Sequence, residues 1–170
     1  MACAAEIERQ CLDTGVEFDF IVHCTGSSST QSGLLAGFAA IGNPVQVIGI
    51  ADDDETVIKR GRVLELANAS LAECGIDAAV GVDDVHVMAA DQSVYGKADD
   101  QTFAMIRLLA STEGIAADPE YEGKALRGLQ ALAAEGRFPP GSRVLLMHLG
   151  GTPAIHAYAS QFGTPQLMPY

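Results

Sequence analysis

The chain has 170 residues and a mass of 17.7 kDa, enough for one domain with an apolar core and little more. Its 48% hydrophobic and 19% charged residues exclude a disordered chain. With 10 Lys and Arg against 22 Asp and Glu the net charge is −12, which excludes a basic face for nucleic acid or for an acidic membrane surface. In chain order, Ala4 to Leu12 has helical spacing and stops at Asp13-Thr14-Gly15. Phe18 to His23 is short, apolar and β-branched, a strand. The polar run CTGSSSTQSG, residues 24–33, follows it, and then comes a helical stretch, Leu34 to Ile41. Gly42-Asn43-Pro44 breaks the chain before a second strand, Val45 to Ile50. Asp54 to Glu73 is a long amphipathic helix whose apolar face takes Val57, Val63, Leu64, Leu66, Ala67 and Leu71. A third strand is expected over Val85 to Ala89, a helix over Asp99 to Ser111, and another over Lys124 to Glu135 after the loop EGIAADPEYEG. Pro139-Pro140-Gly141 precedes a fourth strand, Arg143 to Met147, and the glycine pair of HLGG opens a final helix. Strands without strict alternation, separated by helices, predict an α/β fold: an open, mostly parallel sheet with helices on both faces. No repeat, linker or charge block divides the chain.

The four cysteines, Cys3, Cys11, Cys24 and Cys74, have no paired spacing and read as small buried hydrophobes or free thiols of a reducing, cytoplasmic compartment. No export signal is visible after Met1, and no apolar run reaches the length of a membrane span.

Chemistry concentrates in three stretches. Thr25-Gly26-Ser27-Ser28-Ser29-Thr30 lies between a buried strand and a helix. Helix-start N–H groups, a glycine that admits close approach and a set of small hydroxyls suit a phosphate dianion. The same residues also serve as an ordinary helix-capping turn. Their spacing matches neither G-x-x-x-x-G-K-S/T nor G-x-G-x-x-G, which disfavours a nucleoside triphosphate or a dinucleotide. His148-Leu149-Gly150-Gly151 falls beyond the carboxyl end of a strand, where open α/β sheets collect ligands. There a glycine pair either lets a flat ring lie on the backbone or simply turns the chain. Asp118-Pro119-Glu120-Tyr121-Glu122-Gly123-Lys124 carries a phenol, carboxylates and an ammonium, fit for proton transfer or for a solvated turn. Tyr95, in SVYGK, is open to packing and to chemistry alike.

Taken in order, HCTGSSSTQSGLLAG (residues 23–37), SVYGK (93–97), EGIAADPEYEGKALRGL (113–129) and LLMHLGGTPAIHAY (145–158) resemble the C-terminal half of the fold type II, tryptophan-synthase-β-like, pyridoxal-phosphate enzymes. The branch they resemble is that of 1-aminocyclopropane-1-carboxylate (ACC) deaminase and D-cysteine desulfhydrase. The resemblance implies pyridoxal 5'-phosphate as cofactor, with Gly26, Ser27, Ser28, Ser29 and Thr30 around its phosphate. It makes Tyr121 and Tyr95 the active-site tyrosines, and it sets Glu122 at the pyridine nitrogen with Leu149 and Gly150 beside the ring. Glu after the first tyrosine and HLGG at the strand end lean to the deaminase, which yields 2-oxobutanoate and ammonia. Desulfhydrase-like members carry Ser or Thr after the tyrosine and HTGG. A small amino-acid substrate is implied.

The family's Schiff-base lysine and the small domain belong to an N-terminal half that these residues do not match, and family members are about twice this length. Lys59 reads as mid-helix on a charged face, and Lys97 and Lys124 match family positions without that role. The expectation is therefore a C-terminal cofactor-binding portion, inactive alone, that associates with itself or with a matching N-terminal half. Two rival readings rest on residues alone. Ser28, Asp118 and His148 follow the Ser…Asp…His order of α/β-hydrolases, but Thr30 stands where the nucleophile elbow needs glycine. His23, His86, His148 and His156 make no metal-ligand pattern. A non-catalytic remnant is the third alternative.

Overall fold

The computed structural model describes residues 1–52, 55–89 and 95–162. Four parallel strands form one sheet: β1 (Phe20–Thr25), β2 (Gln46–Ala51), β3 (His86–Ala89) and β4 (Val144–Leu146), in the order β3-β2-β1-β4. In register, Phe20 faces Gln46 on one side and Val144 on the other, and Ile48 faces His86. Helices α1 (Ala2–Thr14), α2 (Ser29–Ile41), α3 (Thr56–Glu73), α4 (Asp100–Glu113) and α5 (Glu122–Ala134) surround it. The predicted elements are thus present. The predicted helix start at Asp54 lies outside the described residues, and the predicted final helix is a 3-10 segment, Thr152–Gln161.

Alternation along the strands divides the core between the two faces of the sheet. Ile21 and Val47 pack with Leu34, Phe38, Val63 and Leu71 of α2 and α3. Val22, Ile48 and Ile50 turn the other way and pack with Leu132 of α5. Every residue of β1 is buried, as expected of a central strand covered on both faces. Helix α5 comes close to the sheet because Gly128 has no side chain. A Cβ there would lie 2.5 Å from Ile50 Cδ1.

The predicted apolar face of α3 needs correction. Val57 is 77% exposed and Leu66 39%, while the buried residues are Lys59, Val63, Ala67 and Leu71. These four recur at every fourth position, a single stripe along the helix. Lys59 heads that stripe at 1% exposure, so it does not stand on the charged face. Among the described residues, no helix is long and apolar enough to cross a membrane. All four cysteines are free.

The chain leaves β1 toward β2 on one side, while β4 is added on the other. The carboxyl ends of β1 and β4 therefore open a crevice at which the direction of winding changes, the position where α/β sheets bind ligands.

Candidate active site

Both loops at this crevice are short and built by local rules. After β1, Gly26 and Ser27 lead into α2, and Ser28 takes the helix N-cap position at φ +71, the one described non-glycine residue with positive φ. Such a backbone is costly for a side-chain residue and persists where its surroundings enforce it. Ser28 is 1% exposed, yet its hydroxyl has no hydrogen-bond partner and caps nothing. The neighbouring Thr25 hydroxyl is likewise buried and unpartnered. Ser27 and Ser29 are exposed, their hydroxyls 2.8 Å apart, and Thr30 is half-buried.

Gly26 is crowded from two directions. A Cβ on it would lie 2.7 Å from Asp52 Oδ2 and 3.6 Å from Tyr121 Cε1. The turn after β1 and the Tyr121 loop are thus neighbours. Tyr121 Oη lies 2.6 Å from Tyr95 Oη, the rings meeting edge to face at 6.1 Å between centroids. That hydrogen bond, followed by burial, holds the Tyr121 phenol above its ordinary pKa. Ser93 and Val94 of SVYGK lie outside the described residues.

The Tyr121–Glu122 turn is fixed by Asp118, which is fully buried. Its Oδ1 accepts the N–H groups of Glu120 and Tyr121, each at 2.8 Å, and its Oδ2 accepts that of Glu122 at 3.1 Å. This is the work of an N-terminal capping carboxylate. Glu122, 6% exposed, turns its Oε1 to the backbone N–H of Leu149 at 3.0 Å. Burial raises its pKa, opposed by that hydrogen bond and by His148. Leu149 is 50% exposed, and Gly150 is exposed at φ +116 with nothing within 4 Å of where a side chain would begin. Gly151 at φ +79 is required twice over, by its backbone and by Asp118 Oδ2, 2.5 Å from a Cβ placed there.

All ten predicted site residues therefore lie at one end of the sheet, on the loops after β1 and β4, the start of α5 and the segment bearing Tyr95. The hydrolase triad does not form. Ser28 Oγ has no partner, the Asp118 carboxylate is bonded to three backbone N–H groups, and His148 Nε2 bonds the Ala116 carbonyl at 2.8 Å. Sequence reasoning missed the buried charges behind the loops. Lys59 Nζ donates to the Gly26 carbonyl and pairs with Asp52; Lys124 Nζ donates to Glu120 Oε1 at 2.8 Å and to the Asp52 carbonyl at 3.1 Å. The four-residue spacing from Lys59 to Leu71 was the available signal for the first. For the pair Glu120 and Lys124 it was their i,i+4 placement.

The model of the family described as "Pyridoxal-phosphate dependent enzyme" matches residues 1–150. The chain belongs to that family. Among curated relatives of this pyridoxal-phosphate family, a 1-aminocyclopropane-1-carboxylate deaminase of Rhizobium rhizogenes is 43% identical over 163 residues, covering 94% of this chain and 48% of the relative. One of Methylobacterium nodulans is 40% identical over 161 residues, with the same coverage. A crystal structure of an ACC deaminase homologue superposes with a TM-score of 0.82 at 28% identity, over 93% of this chain and 46% of the other. The chain thus spans about half the length of the curated relatives it matches.

The cofactor of this family suits the crevice on structural grounds. The exposed hydroxyls of Ser27 and Ser29, a glycine at which a Cβ would meet Asp52, and an α2 start with no side-chain cap offer the donors and the close approach that a phosphate needs. A hollow of about 850 Å³ lies at the opposite end of the sheet between α1 and the 139–142 turn, lined by Cys11, Phe18, Asn43 and Pro139. Its lining carries the carboxylates Glu8, Glu17 and Asp19, which disfavour a phosphate dianion.

Proposed function

We propose that the chain is the coenzyme-phosphate-binding half of an ACC deaminase. In this reading the turn of Gly26, Ser27, Ser28, Ser29 and Thr30 takes the phosphate of pyridoxal 5'-phosphate through helix-start N–H groups and hydroxyls. Bound, the coenzyme supplies an electron-withdrawing ring that stabilises negative charge on the substrate. Glu122 faces the pyridine nitrogen, and its raised pKa and buried carboxyl suit a proton shared with that nitrogen. Leu149 and Gly150 give the ring a flat, open backbone surface. Tyr121 and Tyr95, joined by their hydroxyls, hold and move a proton at the substrate. The observation that carries this reading is the closeness of Tyr121 to Gly26, at which an added Cβ would lie 3.6 Å from the tyrosine ring; this supports a phenol beside the phosphate turn. Glu122 after that tyrosine, with Leu149 at the strand end, favours the deaminase over the desulfhydrase.

The lysine that bears the coenzyme comes, in this reading, from residues outside the 170. Lys59 and Lys124 are buried and committed to carbonyls and carboxylates, and Lys97 is exposed on the Tyr95 segment. Strand β4 is the last strand of the described sheet, and its outer edge is where a matching N-terminal half, or a second copy, adds on. Free cysteines fit a reducing cytoplasm.

The test is complementation. The chain, mixed with the N-terminal half of the Rhizobium rhizogenes relative, is assayed for 2-oxobutanoate from ACC and for pyruvate and sulfide from D-cysteine. Release of 2-oxobutanoate only in the mixture supports the proposal. Turnover of D-cysteine alone reassigns the substrate, and a stable complex without turnover of either overturns it.

A further inference from the structure

Behind the phosphate turn stands a buried cation that does not face the open side of the crevice. Lys59 Nζ, on α3, donates to the Gly26 carbonyl at 2.5 Å and lies 3.3 Å from Asp52 Oδ1. Asp52, 3% exposed and one residue beyond β2, turns its other oxygen to where a Cβ at Gly26 would lie, 2.7 Å away, and its own carbonyl takes the ammonium of Lys124 from α5. The carbonyl of the peptide joining Gly26 to Ser27 is thereby held from α3, by an ammonium that Asp52 in turn pairs with.

From this grip the geometry points to Lys59 as a positioning residue that aims the Ser27 N–H at the phosphate. No described peptide bond is cis. In a trans peptide the C=O and N–H point in opposite directions. A Gly26 carbonyl fixed toward the buried ammonium therefore directs the Ser27 N–H away from α3, to the side on which Ser27 itself is exposed. A buried lysine costs desolvation, which an ion pair and a charge-assisted bond to a carbonyl offset. An ammonium bonded to a carbonyl at 2.5 Å orients the backbone rather than meeting the anion. The inference rests on the proposed phosphate role of the turn.

The probe is inorganic phosphate, followed by amide NMR on the intact chain and on Lys59→Met, which keeps much of the side-chain volume and removes the ammonium. In the wild-type chain the amides of residues 27–30 are expected to shift, Ser27 strongly downfield. In the variant, Ser27 is expected to lose that shift while Thr30 keeps its own, with phosphate affinity down about tenfold, the loss of one hydrogen bond to a charged group. A purely structural role would move all these amides together. Phosphate binding by wild type with a silent Ser27, or by Lys59→Met with an unchanged Ser27 shift, overturns this inference and leaves the phosphate turn standing. No response at residues 26–30 in wild type overturns both. If Lys59→Met does not fold, Lys59→Arg decides: it still donates to the Gly26 carbonyl and is expected to keep the Ser27 response, and a folded Lys59→Arg without it sinks the assignment.

Discussion

The carboxylate of Glu122 accepts the backbone N–H of Leu149 at 3.0 Å, tying the first turn of α5 to the loop after β4. Removing the acceptor leaves a backbone donor unpaired at a part-buried site. Glu122→Ala is expected to lower unfolding free energy by about 1–3 kcal/mol, whereas Glu122→Gln, whose amide oxygen still accepts, is expected to cost less than about 1 kcal/mol. Urea unfolding of the two variants at neutral pH checks this.

Asp118 anchors three consecutive N–H groups and leaves no room for a side chain at Gly151. Asp118→Ala is expected to destabilise the chain by about 2–3 kcal/mol, within the range of lost caps and charged hydrogen bonds. Gly151→Ala is expected to cost about 1–3 kcal/mol through its left-handed backbone and the clash with Asp118. Because they share a contact, the double variant should lose less than the sum of the two. Thermal or urea unfolding of all three reads this directly.

His23 is fully buried in β1, with Nδ1 2.8 Å from the Cys24 carbonyl and no partner for Nε2. Burial lowers its pKa from 6.5 to about 4. The unfolded chain therefore binds the proton first as pH falls, so His23 removes stability progressively from about pH 6.5 down to about pH 4. Between pH 7.5 and pH 5 the loss attributable to His23 is expected to be about 2 kcal/mol. Comparing that pH dependence in wild type and His23→Gln isolates it, since the carboxylates titrate alike in both. An identical slope in the two proteins would show that His23 carries a proton in the fold.

Tyr121→Phe removes the hydroxyl that meets Tyr95 without disturbing the ring beside Gly26. In the complemented enzyme it is expected to slow 2-oxobutanoate release by about 100-fold, as for loss of a general acid or base, with phosphate binding unchanged. Steady-state kinetics with ACC measures it.

Much of this is legible in the residues. The strand–loop–helix alternation locates β1, β2 and β4, and the glycines and hydroxyls after β1 and β4 mark the crevice. What the sequence hides is burial of charge. Lys59 and Lys124 look like surface residues because hydropathy patterns assign every lysine to solvent, and only the tertiary fold brings Asp52, Glu120 and the Gly26 carbonyl to meet them. The role of Asp118 is hidden for a related reason. A carboxylate in a catalytic-looking order and a carboxylate capping a turn have the same letter, and its three N–H bonds separate the two. The apolar face of α3 is misplaced by pattern alone because Val57 and Leu66 stand among its exposed residues.

The most direct measurement is a crystal structure of the chain grown with pyridoxal 5'-phosphate. The expected result is a phosphate held by the backbone of Ser27 to Thr30, with the ring nitrogen turned to Glu122. Coenzyme seated instead in the hollow between Cys11 and Pro139, or a phosphate turn left empty at saturating coenzyme, would contradict it.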